Sequence, residues 1–235
     1  MNGFYAIAID GPSGAGKSTL AKKLAETFSF IYVDTGAIYR TLGLACHRAG
    51  VDRNNTAAVM AILSGIQIDI GYNEAGEQRM MLDGEDVSAQ IRLPEISLAA
   101  SDVSAIPEVR AFLLEMQRRF ARQNHVIMDG RDIGTVVLPQ AELKIFLTAS
   151  PEARALRRMK DLKQKGIEEP YEQVLEEINQ RDEQDSSRAA APLKQAEDAV
   201  LVDSSDLNFE ETFELLCQIV VQHLAVGLEG ESCES

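Results

Sequence analysis

Nine residues near the start, GPSGAGKST from Gly11 to Thr19, separate the apolar run FYAIAID from a stretch patterned as a helix. They fit GxxxxGK[ST] with Gly11, Gly16, Lys17 and Ser18, a pattern in which glycines free the backbone to wrap its N–H groups around phosphate oxygens. Phe4 to Asp10 is of strand type, and Leu20, Ala21, Leu24, Ala25 and Phe28 recur at helical spacing. Strand, glycine loop and helix in that order aim a helix N-terminus at an anion. Lys17 then reaches the outer phosphates and Ser18 takes Mg²⁺. The bland alternative is a flexible turn, and both flanks argue against it.

The rest of the chain suits an α/β fold. Five short apolar runs read as buried strands: Phe4 to Asp10, Phe30 to Val33, Val126 to Asp129, Leu143 to Thr148 and Val200 to Asp203. Helical patterns separate them, which predicts a doubly wound, mainly parallel five-stranded sheet with ligands at the strands' carboxyl ends. Asp34, Asp129 and Asp203 each close such a run, where the chain would emerge into the crevice. From about 63 to 90 the texture turns to alternation and turn residues, a small antiparallel insertion. Helices are expected near Pro94 to Ser104 and Pro107 to Gln123, each with proline at its entry. Arg154 to Lys165 and Tyr171 to Arg181 read as a hairpin of charged helices. The expectation is one domain over 1–228, with core segments 1–62, 105–150 and 189–228. An inserted segment takes about 63–104, a helical lid about 151–188, and a disordered acidic tail 229–235.

Composition narrows the partners. A net charge of −14 over 235 residues disfavours an extended nucleic-acid surface, which needs clustered Lys and Arg. Cys46, Cys217 and Cys233 are odd in number and far apart, which suggests reduced thiols in a cytoplasmic protein. His47, His125 and His223 form no ligand pattern. No apolar run approaches the ~20 residues that span a bilayer, and the first residues lack the basic start of a signal peptide.

Three further segments carry chemistry. In DTGAIYR, Thr35 can cap a helix while Arg40 lies on its first turns, so the two can face a second anion. A capped helix with a solvated arginine is the bland reading. In VIMDGRDIG, Asp129 ends a strand where metal-assisting acids stand, and Arg131 and Asp132 project from the turn. Its alternatives are a strand-end cap and a surface ion pair. In RDEQDSSRAAAPL, Arg181, Asp185 and Arg188 sit at i, i+4 and i+7, two guanidiniums flanking a carboxylate on one helix face. The small residues around Ser186, Ser187 and Ala189 to Pro192 suggest a hinge, hence a mobile lid rather than a solvated charge ladder.

Taken together, GPSGAGKS, DTGAIYR, LDGEDVS, DGRDIGTVV, KIFLTAS, RDEQDSSRAAAPL and AEDAVLVDSS resemble the bacterial cytidylate kinases in order and spacing, up to about residue 222. The resemblance implies a P-loop NTPase type of fold and ATP held by Gly11, Pro12, Ser13, Gly14, Ala15, Gly16, Lys17, Ser18 and Thr19, with Mg²⁺ near Ser18. It puts the acceptor's phosphate among Arg40, Arg131 and Arg188, with Thr35 close by. It gives Ser101, Arg110 and Asp132 to the cytosine, Arg181 and Asp185 to the sugar, and Arg157 to a lid over ATP. Lys17, Asp129, Arg131 and Arg188 make up the catalytic set, and a monomer is implied. Threonine stands at Thr35, where the family also uses serine, and the acidic tail has no counterpart.

The implied base site makes physical sense. Cytosine offers an N4 donor and acceptors at N3 and O2, which suits one carboxylate, Asp132, and donors from Arg110 and Ser101. Uracil would leave buried polar groups unpaired. The expected reaction is γ-phosphoryl transfer from ATP to CMP or dCMP. A GTP-driven switch is disfavoured by the lack of an NKxD segment; a kinase for UMP or another metabolite stays open.

Overall fold

The computed structural model describes residues 4–164 and 166–231. Its main sheet is five-stranded, with β1 (Ala6–Asp10), β2 (Ile31–Asp34), β6 (Val126–Gly130), β7 (Leu143–Thr148) and β8 (Val200–Asp203) in the order β2-β6-β1-β7-β8. All pairings are parallel, so the mainly parallel sheet expected above is wholly so. Every residue of β1 and β6 is buried, as unbroken apolar runs in central parallel strands require. Register puts Ile9 beside Asp129, Asp10 beside Gly130, and Asp34 beside Asp129. Three carboxylates therefore emerge together at the carboxyl ends of adjacent strands.

Helices cover both faces. One side packs α1 (Lys17–Phe28) and α8 (Phe209–Glu231) through Leu20, Leu24, Leu216 and Val220. Three strands shift in their bounds: β1 starts at Ala6 because Phe4 is 44% exposed and Tyr5 N donates to the His125 ring, β2 runs one residue later than expected, and β6 continues one residue further, to Gly130. α8 continues to Glu231, into the segment expected as a tail, and 232–235 lie outside the described residues. Among the described residues no helix is long and apolar enough to cross a membrane.

The insertion is a separate antiparallel sheet of β3 (Ile68–Tyr72), β4 (Gln78–Leu82) and β5 (Glu85–Asp86). It follows α3 (Thr56–Gly65) and docks beside α2 (Thr35–Arg48). Gln78 Oε1 accepts from Asp34 N at 2.7 Å and Tyr72 OH donates to Tyr32 O at 2.9 Å, which ties the insertion to the end of β2. Next come α4 (Pro94–Ser104) and α5 (Pro107–Gln123), at the bounds their prolines indicated.

α4 packs so closely on α2 that a Cβ at Gly43 would stand 2.9 Å from Ala100 N and 3.1 Å from Ala99 C. Backbone cannot give way as a side chain can. Gly43→Ala is therefore expected to destabilise by about 1–3 kcal/mol, read as a lower melting temperature.

The charged hairpin is α6 (Pro151–Gln164) with α7 (Tyr171–Ser187), and it has a small core of its own in Ala155, Leu162, Val174 and Ile178. α7 runs two turns past the expected end, and the small-residue break begins where it stops. Arg181 and Asp185 lie on the helix, but Arg188 is its C-cap with extended backbone, φ −62° and ψ 140°. The three do not share one helix face as their spacing suggested. Past the helix the chain folds back: Leu193 N donates to Asp185 O at 2.8 Å and Arg188 Nε to Ala191 O at 2.7 Å.

Candidate active site

The glycine loop bridges β1 and α1 in backbone shapes that side chains resist. Gly11 has φ +149°, and a Cβ there would lie 1.9 Å from Leu147 O on the neighbouring strand. Lys17 opens α1 and is buried, its Nζ donating to Pro12 O at 2.7 Å across the loop. Burial first, and then the Arg131 guanidinium, hold the Lys17 ammonium well below the usual lysine range. A polyanion inside the loop would restore what desolvation removes.

Asp129 meets the loop from β6. Its carboxylate accepts from Ser18 Oγ and from Tyr32 OH, each at 2.8 Å, and its carbonyl accepts from Thr35 Oγ1 at 2.9 Å. Burial, with Asp34 adding like charge, pushes the carboxyl up to about 6. The helix cap expected of Thr35 belongs to Asp34, whose carboxylate accepts from Ala37 N at 2.9 Å. Thr35 is the first helical residue, so its hydroxyl is free to turn to β6.

Facing the loop across a cavity of about 360 Å³ stand the guanidiniums of Arg40, Arg110, Arg131, Arg181 and Arg188. Arg40 pairs with Asp34 at 2.5 Å and Arg131 Nε donates to Asp185 at 2.7 Å. Arg188 lies 3.7 Å from Asp185 and 4.0 Å from Asp132. Arg110 pairs with Asp132, donates to Ser104 O at 3.2 Å, and stacks over the Tyr39 ring with its centroid 5.3 Å away. Buried Arg40 Nε, Arg181 Nε and Arg188 Nη2 have no acceptor. Burial, then like charge from Arg131 and Arg110 respectively, lowers Arg181 and Arg188 below the usual arginine range. Crowded guanidiniums with spare N–H groups call for an oxyanion.

The cavity gathers Ser13, Gly14, Gly16, Lys17, Ser18 and Thr19 from the loop side. From the other side come Thr35, Arg40, Ser101, Arg110, Asp129, Arg131, Asp132, Arg181, Asp185 and Arg188. Gly11, Pro12 and Ala15 of the same loop are buried and do not line the cavity. Arg157 is elsewhere: its guanidinium donates to Ser204 Oγ at 3.2 Å, to Ser204 O, and to Leu207 O at 3.4 Å, beyond β8. The arginine of α6 that touches the loop is Arg154, donating to Ser13 O at 3.0 Å and pairing with Asp182 of α7 at 2.5 Å. Asp203 also departs from expectation; it is exposed and accepts from Ser205 N at 2.9 Å.

Besides Arg154, three residues escaped the sequence reading. Tyr39 sits within DTGAIYR, four residues after Thr35, where helical spacing could have signalled it. Asp10 closes β1 as Asp129 closes β6, a parallel that was there to be drawn. Gln184, which accepts from Ser101 Oγ at 2.8 Å, carries no local signal.

No group of three or more His, Cys, Asp or Glu side chains among the described residues forms a metal cage. Ser18 and the buried Asp129 nonetheless fit Mg²⁺, which takes few protein oxygens and is completed by phosphates and water.

A phosphate loop facing a second, arginine-lined oxyanion site at the end of a parallel sheet defines a P-loop kinase of small phosphorylated acceptors. The family model described as cytidylate kinase matches residues 7–222. The chain is 51% identical to the cytidylate kinase of Caldicellulosiruptor saccharolyticus, over 91% of this chain and 94% of that one. It is 46% identical to the cytidylate kinase of Pasteurella multocida, over 96% and 99% respectively. The chain belongs to the cytidylate kinase family.

Proposed function

We propose that the cavity transfers the γ-phosphoryl group of ATP to CMP or dCMP, giving ADP and CDP or dCDP. The observation that carries this reading is the Arg110–Asp132 pair, a donor set beside an acceptor, set with Ser101 in the same cavity as the loop and the under-satisfied arginines. The base lies on Asp132, Arg110 and Ser101, and the sugar on Arg181 and Asp185. The acceptor's phosphate lies among Arg40, Arg131 and Arg188, with Thr35 close by, and takes the free N–H groups of Arg40 and Arg188.

The nucleophile is already an anionic phosphate oxygen, so the residues need supply no strong base. They orient and neutralise. The loop amides and Lys17 hold the donor phosphates; Arg131 and Arg188 offset charge gathering between donor and acceptor. Ser18 and Asp129 would hold Mg²⁺, which would supply further charge neutralisation on the donor phosphates. The hairpin α6–α7, with its own small core, moves as a lid about the break after Ser187 and excludes water. Arg157 joins the donor only by leaving Ser204 when that lid closes. Three cysteines, odd in number and far apart in the sequence, support a reduced, cytoplasmic setting, and we expect a monomer acting on small molecules rather than on nucleic acid or membrane.

A screen of purified protein against CMP, dCMP, UMP, AMP and unphosphorylated acceptors, followed by ADP release, tests the reading. CMP and dCMP should lead, and equal turnover of UMP would overturn the base assignment. Asp132→Asn sharpens it: an amide both accepts and donates, so the preference for CMP over UMP should fall by about tenfold or more. Arg131→Ala should depress both acceptors alike.

A further inference from the structure

Asp10 takes no part in the chemistry above, yet it is 4% exposed and sits where the donor loop begins. Its two carboxylate oxygens accept from Ile133 N at 2.8 Å and Gly134 N at 2.7 Å. Those amides are the first two after Asp132, and they open the π-helical turn Ile133–Val137. Asp132 itself is held at φ −143° and ψ 26°, outside the regular helical and extended regions. Its place beside Arg110 therefore depends on what anchors the residues that follow. Behind the turn there is little slack, since a Cβ on Gly134 would stand 3.1 Å from Lys144 Cδ and 3.4 Å from Asp10 Oδ2. π-helical turns are rare and recur at functional sites.

We infer that Asp10 is a specificity-determining positioning residue: by clamping the amides of Ile133 and Gly134 it sets the turn that presents Asp132 to the acceptor's base. The inference rests on the base-reading role proposed for Asp132. Carboxylate geometry suits the task, because two adjacent N–H donors need two acceptor oxygens. An amide offers only one, and its NH₂ group opposes the second donor.

Asp10→Asn should therefore raise KM for CMP about tenfold, the scale of one lost buried hydrogen bond. The CMP to UMP ratio of kcat/KM should fall at least fivefold on the same ground, with KM for ATP within about twofold of wild type. Gly134→Ala is the second variant: it crowds the turn from behind without altering the carboxylate, and should move the same ratio in the same direction by less. Melting curves establish that each variant is folded. A folded Asp10→Asn that keeps the wild-type base ratio overturns the inference, as does a rise in KM for ATP equal to that for CMP, which would mark general damage to the loop. If Asp10→Asn does not fold, an unchanged ratio in Gly134→Ala overturns it instead. A wild type that does not prefer CMP over UMP fails the base-reading proposal itself, a result distinct from any effect of Asp10.

Discussion

Lys17→Ala is expected to lower kcat by about 10³-fold or more, with the melting temperature close to that of wild type. The two halves of this expectation have one cause. Lys17 is a buried cation whose charged form burial and Arg131 disfavour, and its bond to Pro12 O is small compensation. Alanine removes a charge that folding had to desolvate, and this gain is set against the lost attraction of Lys17 for Asp129, Asp10 and Asp185, so the two effects on stability largely offset. The transferring phosphoryl group, however, loses the one ammonium the loop directs at it. A coupled assay for ADP and a melting curve on the same preparation check both halves. Turnover within tenfold of wild type would remove Lys17 from the mechanism, and a large drop in melting temperature would make it a structural residue.

How much of this was legible in the sequence depended on the range of the interactions involved. Central strands were readable because β1 and β6 are buried on both faces, which forces unbroken apolar runs. Their outer ends were not, since Phe4 continues the pattern while lying in solvent. Helices α4 and α5 were read at their bounds because proline fixes where each starts. The end of α7 shows the limit: periodicity could not say that Asp185 O would be taken by Leu193 N from a chain doubling back, leaving Arg188 off the helix.

The site follows the same rule. Residues inside contiguous motifs came out together in the cavity, because a loop or turn of a few residues carries its own geometry. Arg157 and Arg154 are three residues apart on α6 and chemically equal, and their fates are decided from far away. Asp182 on α7 draws Arg154 to the loop, and the carbonyls of Ser204 and Leu207 hold Arg157 beyond β8. Asp10 is the converse case, a visible strand-end carboxylate whose partners lie more than a hundred residues away.

Asp129→Asn is expected to separate activity from stability in opposite directions. The substitution is isosteric: Oδ1 can still accept from Tyr32, and the new NH₂ group can donate to Ser18 Oγ, whose proton is free to turn away. What disappears is a buried negative charge beside Asp34. The folded carboxyl titrates at about 6, against an ordinary value of 3.8, so folding favours its protonated form and the charged form costs stability. Below about pH 4 the group is protonated in both states and the cost vanishes; it grows as pH rises and is complete above about pH 6. At pH 7.5 the variant should therefore melt about 3–6 °C higher, the equivalent of about 1–2 kcal/mol at this chain length. The gap should close as pH is lowered from 6 towards 4. Activity should fall by about 10²-fold or more, because the carboxylate proposed to support Mg²⁺ beside Ser18 is gone, and raising Mg²⁺ should recover little of it. Melting temperature against pH for both proteins, with kinase assays at pH 7.5, tests the pair of effects. Equal melting temperatures across the whole range would show that the Asp129 charge is already neutralised by Lys17 in the folded protein. Wild-type turnover in the variant would remove Asp129 from the phosphoryl-transfer site.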